Sequence, residues 1–119
     1  MEILVAVKSK EVRSALKVLI NQNGNKDKII ETVHLIDLLK NLKSQKLRLV
    51  LIDWEFFNGE TIEMITLFKK AYKEINFIVL GMQKKDRKAA LDASIKAFYL
   101  KSDSPKELIN IIRRFRDEQ

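Results

Sequence analysis

Asp53 follows directly on the apolar run 49–52, Lys8 follows the run 3–7, and Lys101 follows the run 97–100. One carboxylate and two amines therefore stand a single step beyond segments that read as buried. Glu55 lies two residues past Asp53, and Gly81 closes the run 77–80. A carboxylate so placed can accept a transferred group, ligate a cation or pair with an amine. If Lys8 and Lys101 face Asp53 and Glu55, the formal charges sum to about zero, which favours pairing over capture of a divalent ion. The chain has no cysteine and one histidine, His34, which sits beside a leucine stripe. Thiolate metal sites, disulfides and cysteine nucleophiles are thus excluded, and His34 reads as structural because it has no second His or Cys with which to hold a metal.

What must position these groups is an alternation of short apolar runs with segments of helical period. The runs are 3–7, 29–33, 47–52, 77–80 and 97–100. Runs one, four and five are unbroken and run three is interrupted only by Arg48, the pattern of strands covered on both faces. Run two carries Glu31 and Thr32 and reads as an edge strand. Between them, Val12, Leu16, Leu19 and Ile20 share one helical stripe, as do Leu35, Leu38, Leu39 and Leu42, then Met64, Leu67, Phe68 and Ala71, and finally Leu108, Ile111, Ile112 and Phe115. The helix around residues 87–93 has the weakest pattern. Ser9 is placed to cap the first helix and Gly24 to end it. Ser104-Pro105-Lys106-Glu107 supplies a cap hydroxyl, a proline at the first helical position and a glutamate at the third.

Five strand and helix pairs in this order predict right-handed crossovers and a doubly wound, five-stranded parallel sheet. In strand order 2-1-3-4-5 the first and third strands are neighbours, so Lys8 and Asp53 are expected to approach at the carboxyl edge, where such sheets bind ligands.

The bulk composition agrees. A chain of 119 residues, 46% hydrophobic and 33% charged, fits a single domain, residues 1–119, that buries roughly 65% of its unfolded surface. No run approaches the roughly 20 apolar residues of a membrane span, and residues 1–7 lack a basic leader, so a cytoplasmic location is expected. The net charge of +7 suits a nucleic acid, an acidic protein surface or anionic lipid, and composition does not choose among them, although no membrane partner is expected. Three glycines and one proline beside abundant Lys, Glu and Ile are compatible with a heat-adapted source.

The motifs Ile3-Leu4-Val5-Ala6-Val7-Lys8, Leu47-Arg48-Leu49-Val50-Leu51-Ile52-Asp53, Phe77-Ile78-Val79-Leu80-Gly81 and Phe98-Tyr99-Leu100-Lys101, with Ser102 to Leu108 after them, resemble a response regulator receiver domain over essentially the whole chain. The resemblance implies the flavodoxin-like (βα)5 fold. It also implies an aspartate that accepts a phosphoryl group from a histidine kinase, two acids after the first strand that help hold Mg²⁺, and a lysine that contacts the phosphate. Asp53 matches the acceptor and Lys101 the lysine. Val7 and Lys8 stand where the acids belong, Gly81 replaces the Thr or Ser switch hydroxyl, and Phe98 fills the aromatic switch position. Ser102 replaces a proline, and Phe57 and Thr61 depart from the usual Pro and Gly of the loop after the acceptor.

Exchanging a carboxylate for an ammonium about 5 Å from Mg²⁺ changes the energy by roughly 13 kcal/mol at an effective dielectric of about 20. The expectation is therefore an atypical, pseudo-receiver domain that is no enzyme, needs no cofactor and has no metal site, with Lys8 in the cation's place and paired to Asp53. The alternative is a receiver phosphorylated on Asp53, with Mg²⁺ as its cofactor. Trp54, Phe56 and Phe57 fit either a docking patch or the core.

Lys84, Lys85, Arg87 and Lys88 on the fourth helix, with Lys106, Arg113, Arg114 and Arg116 on the fifth, form either a solvated face or a docking face. The resemblance implies docking or homodimerisation through the fourth helix, fifth strand and fifth helix. The expected partner is a signalling protein, either an acidic surface or a histidine kinase. Nucleic-acid binding is the remaining class, but no helix-turn-helix, RNP or KH signature supports it. Nor is there a phosphate loop or catalytic triad.

Overall fold

The computed structural model describes residues 1–22 and 26–118. The elements are β1 (Glu2–Ala6), α1 (Lys10–Asn21), β2 (Lys28–Thr32), α2 (Leu35–Leu42), β3 (Leu47–Asp53), α3 (Thr61–Ala71), β4 (Asn76–Gly81), α4 (Lys84–Asp92), β5 (Ala97–Leu100) and α5 (Pro105–Asp117). All strand pairs are parallel, in the order β2-β1-β3-β4-β5, as the element order predicts. β2 is an edge strand, in keeping with its polar residues, and β5 forms the other edge.

Alternation across the pleat divides each strand between two cores. Leu4, Ala6, Val50, Ile52 and Val79 join Leu38, Leu42, Ile65, Phe68 and Ala90 of α2, α3 and α4. Ile3, Val5, Leu49, Leu51, Ile78 and Leu80 join Leu16, Ile20, Leu108 and Ile112 of α1 and α5. Burial on both faces is why the central strands read as continuous apolar runs.

Two expected caps are present. The Val12 N–H donates to Ser9 Oγ at 3.3 Å, and the Lys106 N–H donates to Ser104 Oγ at 3.2 Å with Pro105 opening the helix. Gly24, the expected end of α1, lies outside the described residues.

Two helices sit differently from their predicted stripes. α2 buries Leu38 and Leu42, whereas Leu35 and Leu39 are 42% and 37% exposed. With eight residues α2 lays only one narrow ridge on the sheet, and the shoulder of its leucine stripe faces outward. α3 buries Thr61, Ile65 and Phe68, leaving Leu67 58% exposed and Ala71 exposed. Its rotation is set at its first residue, where Thr61 Oγ1 donates to the Trp54 carbonyl at 2.6 Å.

Among the described residues no helix is long and apolar enough to cross a membrane.

This packing gives Leu38→Ala an expected loss of about 2–5 kcal/mol, whereas Leu39→Ala stays within about 0.5 kcal/mol. Urea unfolding measures both, and equal losses would restore the predicted stripe. A second expectation concerns Tyr99, whose hydroxyl donates to the Asp103 carbonyl at 2.7 Å. Burial, with the charges of Asp103 and Glu107 adding to it, raises its phenol above the usual range. As pH passes about 10, the unfolded chain releases this proton first and the folded chain keeps it, so stability falls from there through the raised folded value. Tyr99→Phe should flatten that alkaline loss in urea midpoints taken on either side of about pH 10.

Candidate functional site

The carboxyl edge of the sheet gathers Asp53, Gly81 and Lys101 as the sequence requires. β3 carries Asp53 to its last position, opposite Leu80 of β4. Two backbone bonds continue the ladder past the strand ends: the Trp54 N–H donates to the Leu80 carbonyl and the Lys101 N–H to the Gly81 carbonyl, each at 2.8 Å. These bonds fix where Asp53 and Lys101 emerge.

Asp53 is 9% exposed. Its Oδ2 pairs with Lys101 Nζ at 2.8 Å, and its Oδ1 accepts from the Glu55 N–H at 3.3 Å. Both oxygens are therefore engaged, one by a charge and one by the turn that leaves the strand. Burying a carboxylate costs free energy unless it is paired and hydrogen-bonded, and Asp53 is both. The Glu55 residue is exposed, so it adds an amide to the site while its carboxylate is not enclosed there. Asn58 and Gly59 carry the loop onward through left-handed conformations, with φ of 51° and 93°.

Lys8 corrects the sequence expectation. It forms no ion pair with Asp53; its Nζ stands 6.0 Å from the centre of the Phe56 ring. Two contacts account for this. Lys101 already holds the Asp53 carboxylate, and the Arg13 guanidinium holds the Val7 and Lys8 carbonyls at 2.8 and 3.0 Å, beyond which the exposed Lys8 side chain turns over an aromatic face. Val7, in the other acid position, is fully buried. Among the described residues no three His, Cys, Asp or Glu come together in a group that could hold a metal ion.

Gly81 and Phe98 form a contact that sequence reasoning missed. The Phe98 ring is 6% exposed and lies so near Gly81 that a Cβ there would stand 2.3 Å from Phe98 Cζ. The ring is held from its other sides by Trp54, edge-on at 6.1 Å between centres, and by the Arg87 guanidinium at 5.9 Å. Arg87 is itself anchored by Asp103 at 2.9 Å. The available signal was the glycine at the end of a buried strand, which marks close approach of another group.

The aromatic residues after Asp53 resolve into core. Phe56 is 5% exposed, and Trp54 and Phe57 pack against the same cluster. His34 precedes α2 as its N-cap residue and makes no side-chain cap bond. The basic residues divide: Lys84, Lys85, Lys88, Lys106, Arg113 and Arg114 are exposed, whereas Arg87 pairs with Asp103 and Arg116 with Asp27.

Solved structures similar to this chain include receiver domains. The chain is similar to the signal receiver domain of a DNA-binding response regulator (merR) from Colwellia psychrerythraea 34H, with 16% identity, 98% of each chain covered and a TM-score of 0.85. It is similar to a response regulator from Thermotoga maritima, at 18% identity over 96% of this chain and 95% of that one, TM-score 0.80. A LuxR-family DNA-binding response regulator from Staphylococcus aureus is 22% identical, with 96% and 97% covered and a TM-score of 0.79. No family model and no curated protein matches the chain. At these identities the likeness establishes the fold, the doubly wound flavodoxin-like form that receiver domains share.

Close packing at Gly81 makes a directed outcome: Gly81→Thr should cost about 1–3 kcal/mol by overpacking and alter Trp54 fluorescence, because the Phe98 ring must move off its neighbour. Combined with Phe98→Ala, most of that cost should vanish, giving a coupling that urea unfolding of the double-mutant cycle reads. Additive losses would show that the ring is not what excludes a side chain at position 81.

Proposed function

We propose that this chain is a receiver-type signalling module that binds a partner protein and works without Mg²⁺-dependent phosphorylation. The observation that carries the reading is the donor set at the carboxyl edge. One carboxylate, Asp53, stands there with both oxygens engaged, beside an apolar Val7 and a Lys8 that turns away. A hard divalent cation takes six to eight oxygen ligands for Ca²⁺ and a near-ideal octahedron for Mg²⁺, and a single carboxylate paired with an ammonium is a poor start for either. With Lys8 turned outward its repulsion is weaker than a charge count assumes. What stands against the metal is the missing oxygens.

Phe98 packed against Gly81 supports the same reading. A switch of the receiver kind couples a hydroxyl at position 81 to the aromatic residue at 98, and here there is no hydroxyl and the ring fills the space. The module would thus hold one arrangement and dock through the six exposed cations of α4 and α5, which suit an acidic surface on a signalling partner. In this reading it transfers no group and needs no cofactor.

The Lys101–Asp53 pair favours a second reading, a receiver phosphorylated on Asp53, since that lysine is placed to contact a phosphoryl group on the carboxylate.

Intact-mass spectrometry after incubation with acetyl phosphate and millimolar Mg²⁺ separates the two. No adduct is expected on the wild type, and a stable phosphoryl adduct lost in Asp53→Asn would establish the second reading. In pull-downs, partner capture should survive Asp53→Ala and fall at least tenfold when Arg113 and Arg114 are both changed to Glu, about 1.4 kcal/mol or more.

A further inference from the structure

A hollow of about 670 Å³ opens beyond the carboxyl ends of β1, β2 and β3, and Asp53 is not part of its lining. Lys8 follows β1, Val33 and His34 follow β2, and Phe56 and Phe57 belong to the loop after β3. In the order β2-β1-β3-β4-β5 the chain leaves β1 on one side for β2 and then crosses to β3 on the other, so the direction of winding reverses here. Doubly wound sheets take their ligands in the crevice at that point. The volume lies in the range of small-molecule sites.

The walls are apolar around a single ammonium. Phe56 is 5% exposed, the half-buried Phe57 meets it edge-on at 5.1 Å between ring centres, and Leu35 and Met64 add further apolar surface. Lys8 Nζ stands 6.0 Å from the centre of the Phe56 ring and forms no ion pair among the described residues. Glu60 is the one carboxylate of the lining, and it is the N-cap residue of α3, where the helix dipole offsets its charge. Lys8 follows a strand and has no such compensation.

An unpaired cation at an aromatic wall is complementary to a molecule with one anionic end and an apolar body. A purely apolar ligand would cover the ammonium without pairing it, which costs free energy. A bare inorganic anion would leave the rings uncovered, and a polyanion would meet only one ammonium and a carboxylate besides.

We propose that this hollow binds a small amphipathic monocarboxylate, with the carboxylate on Lys8 Nζ and the apolar body against Phe56, Phe57, Leu35 and Met64. The inference goes beyond the protein docking assigned to α4 and α5, and it needs neither phosphorylation of Asp53 nor a metal.

Titration of the full chain with sodium phenylacetate at pH 7 and constant ionic strength, followed by amide chemical shifts in two-dimensional NMR, tests it. Shifts should cluster at Lys8, Val33 to Leu35 and Phe56 to Glu60, with a Kd near or below about 1 mM, within reach of a ligand of roughly ten heavy atoms. Acetate, which lacks the apolar body, should bind at least tenfold more weakly. Lys8→Met, at an exposed position, should weaken phenylacetate at least fivefold and leave the affinity of neutral phenylacetamide unchanged, whereas Leu35→Asp should weaken both, each variant keeping the wild-type circular dichroism. No shifts at these residues up to about ten times that concentration, acetate binding as well as phenylacetate, or an affinity indifferent to Lys8→Met would each overturn the proposal.

Discussion

Covering a parallel sheet on both faces leaves its side chains little room for polarity except at the strand ends. β3 has no exposed position from Leu47 to Asp53, so whatever chemistry or signalling the chain performs must issue from the residue that closes the strand or from the helices outside. That constraint places Asp53 at the rim and makes its partners decisive. Lys101 and the Glu55 amide satisfy it from two directions, and each is fixed by backbone that continues the sheet.

The same rim carries a second, steric constraint. Gly81 and Phe98 are neighbours across β4 and β5, two residues out of register and so on the same face of the sheet, since Val79 lies opposite Phe98 and Gly81 opposite Leu100. The missing Cβ at 81 is what admits the ring, and Trp54 and Arg87 close it in. A ligand that displaced Phe98 would therefore also disturb the residue after Asp53 and the Arg87–Asp103 pair that joins α4 to the loop before α5. In the proposed reading this arrangement is held rather than switched, because no hydroxyl competes for the space.

Much of this was legible in residue order. Apolar runs of four to six residues alternating with helical stripes gave the strand order, because parallel strands buried on both faces leave few other readings. Asp53 and Lys101 were placed by their positions one step past a run. Lys8 was misplaced for a physical reason: the sequence shows that an amine follows β1 but not that Lys101 reaches the carboxylate first, nor that Arg13, on the next helix, takes the Val7 and Lys8 carbonyls just past the strand. Phe98 against Gly81 was hidden because it depends on a ring orientation across strands. The phases of α2 and α3 were read from leucine and methionine spacing, whereas α3 is set by one hydroxyl, Thr61 on the Trp54 carbonyl.

Charge separates the two outer surfaces. The cations of α4 and α5 that no carboxylate engages, Lys84, Lys85, Lys88, Lys106, Arg113 and Arg114, are of one sign, and like charges brought together across an interface cost rather than add binding. In the proposed reading these cations recruit an unlike, acidic partner. α2 is different in kind, since it exposes leucine and isoleucine side chains and carries one acid, Asp37, and one base, Lys40, on its outer surface. A single +7 charge obscures this, because the excess is not spread evenly. The cationic surface that recruits in this reading lies on helices that meet the sheet at strands other than the one α2 packs on.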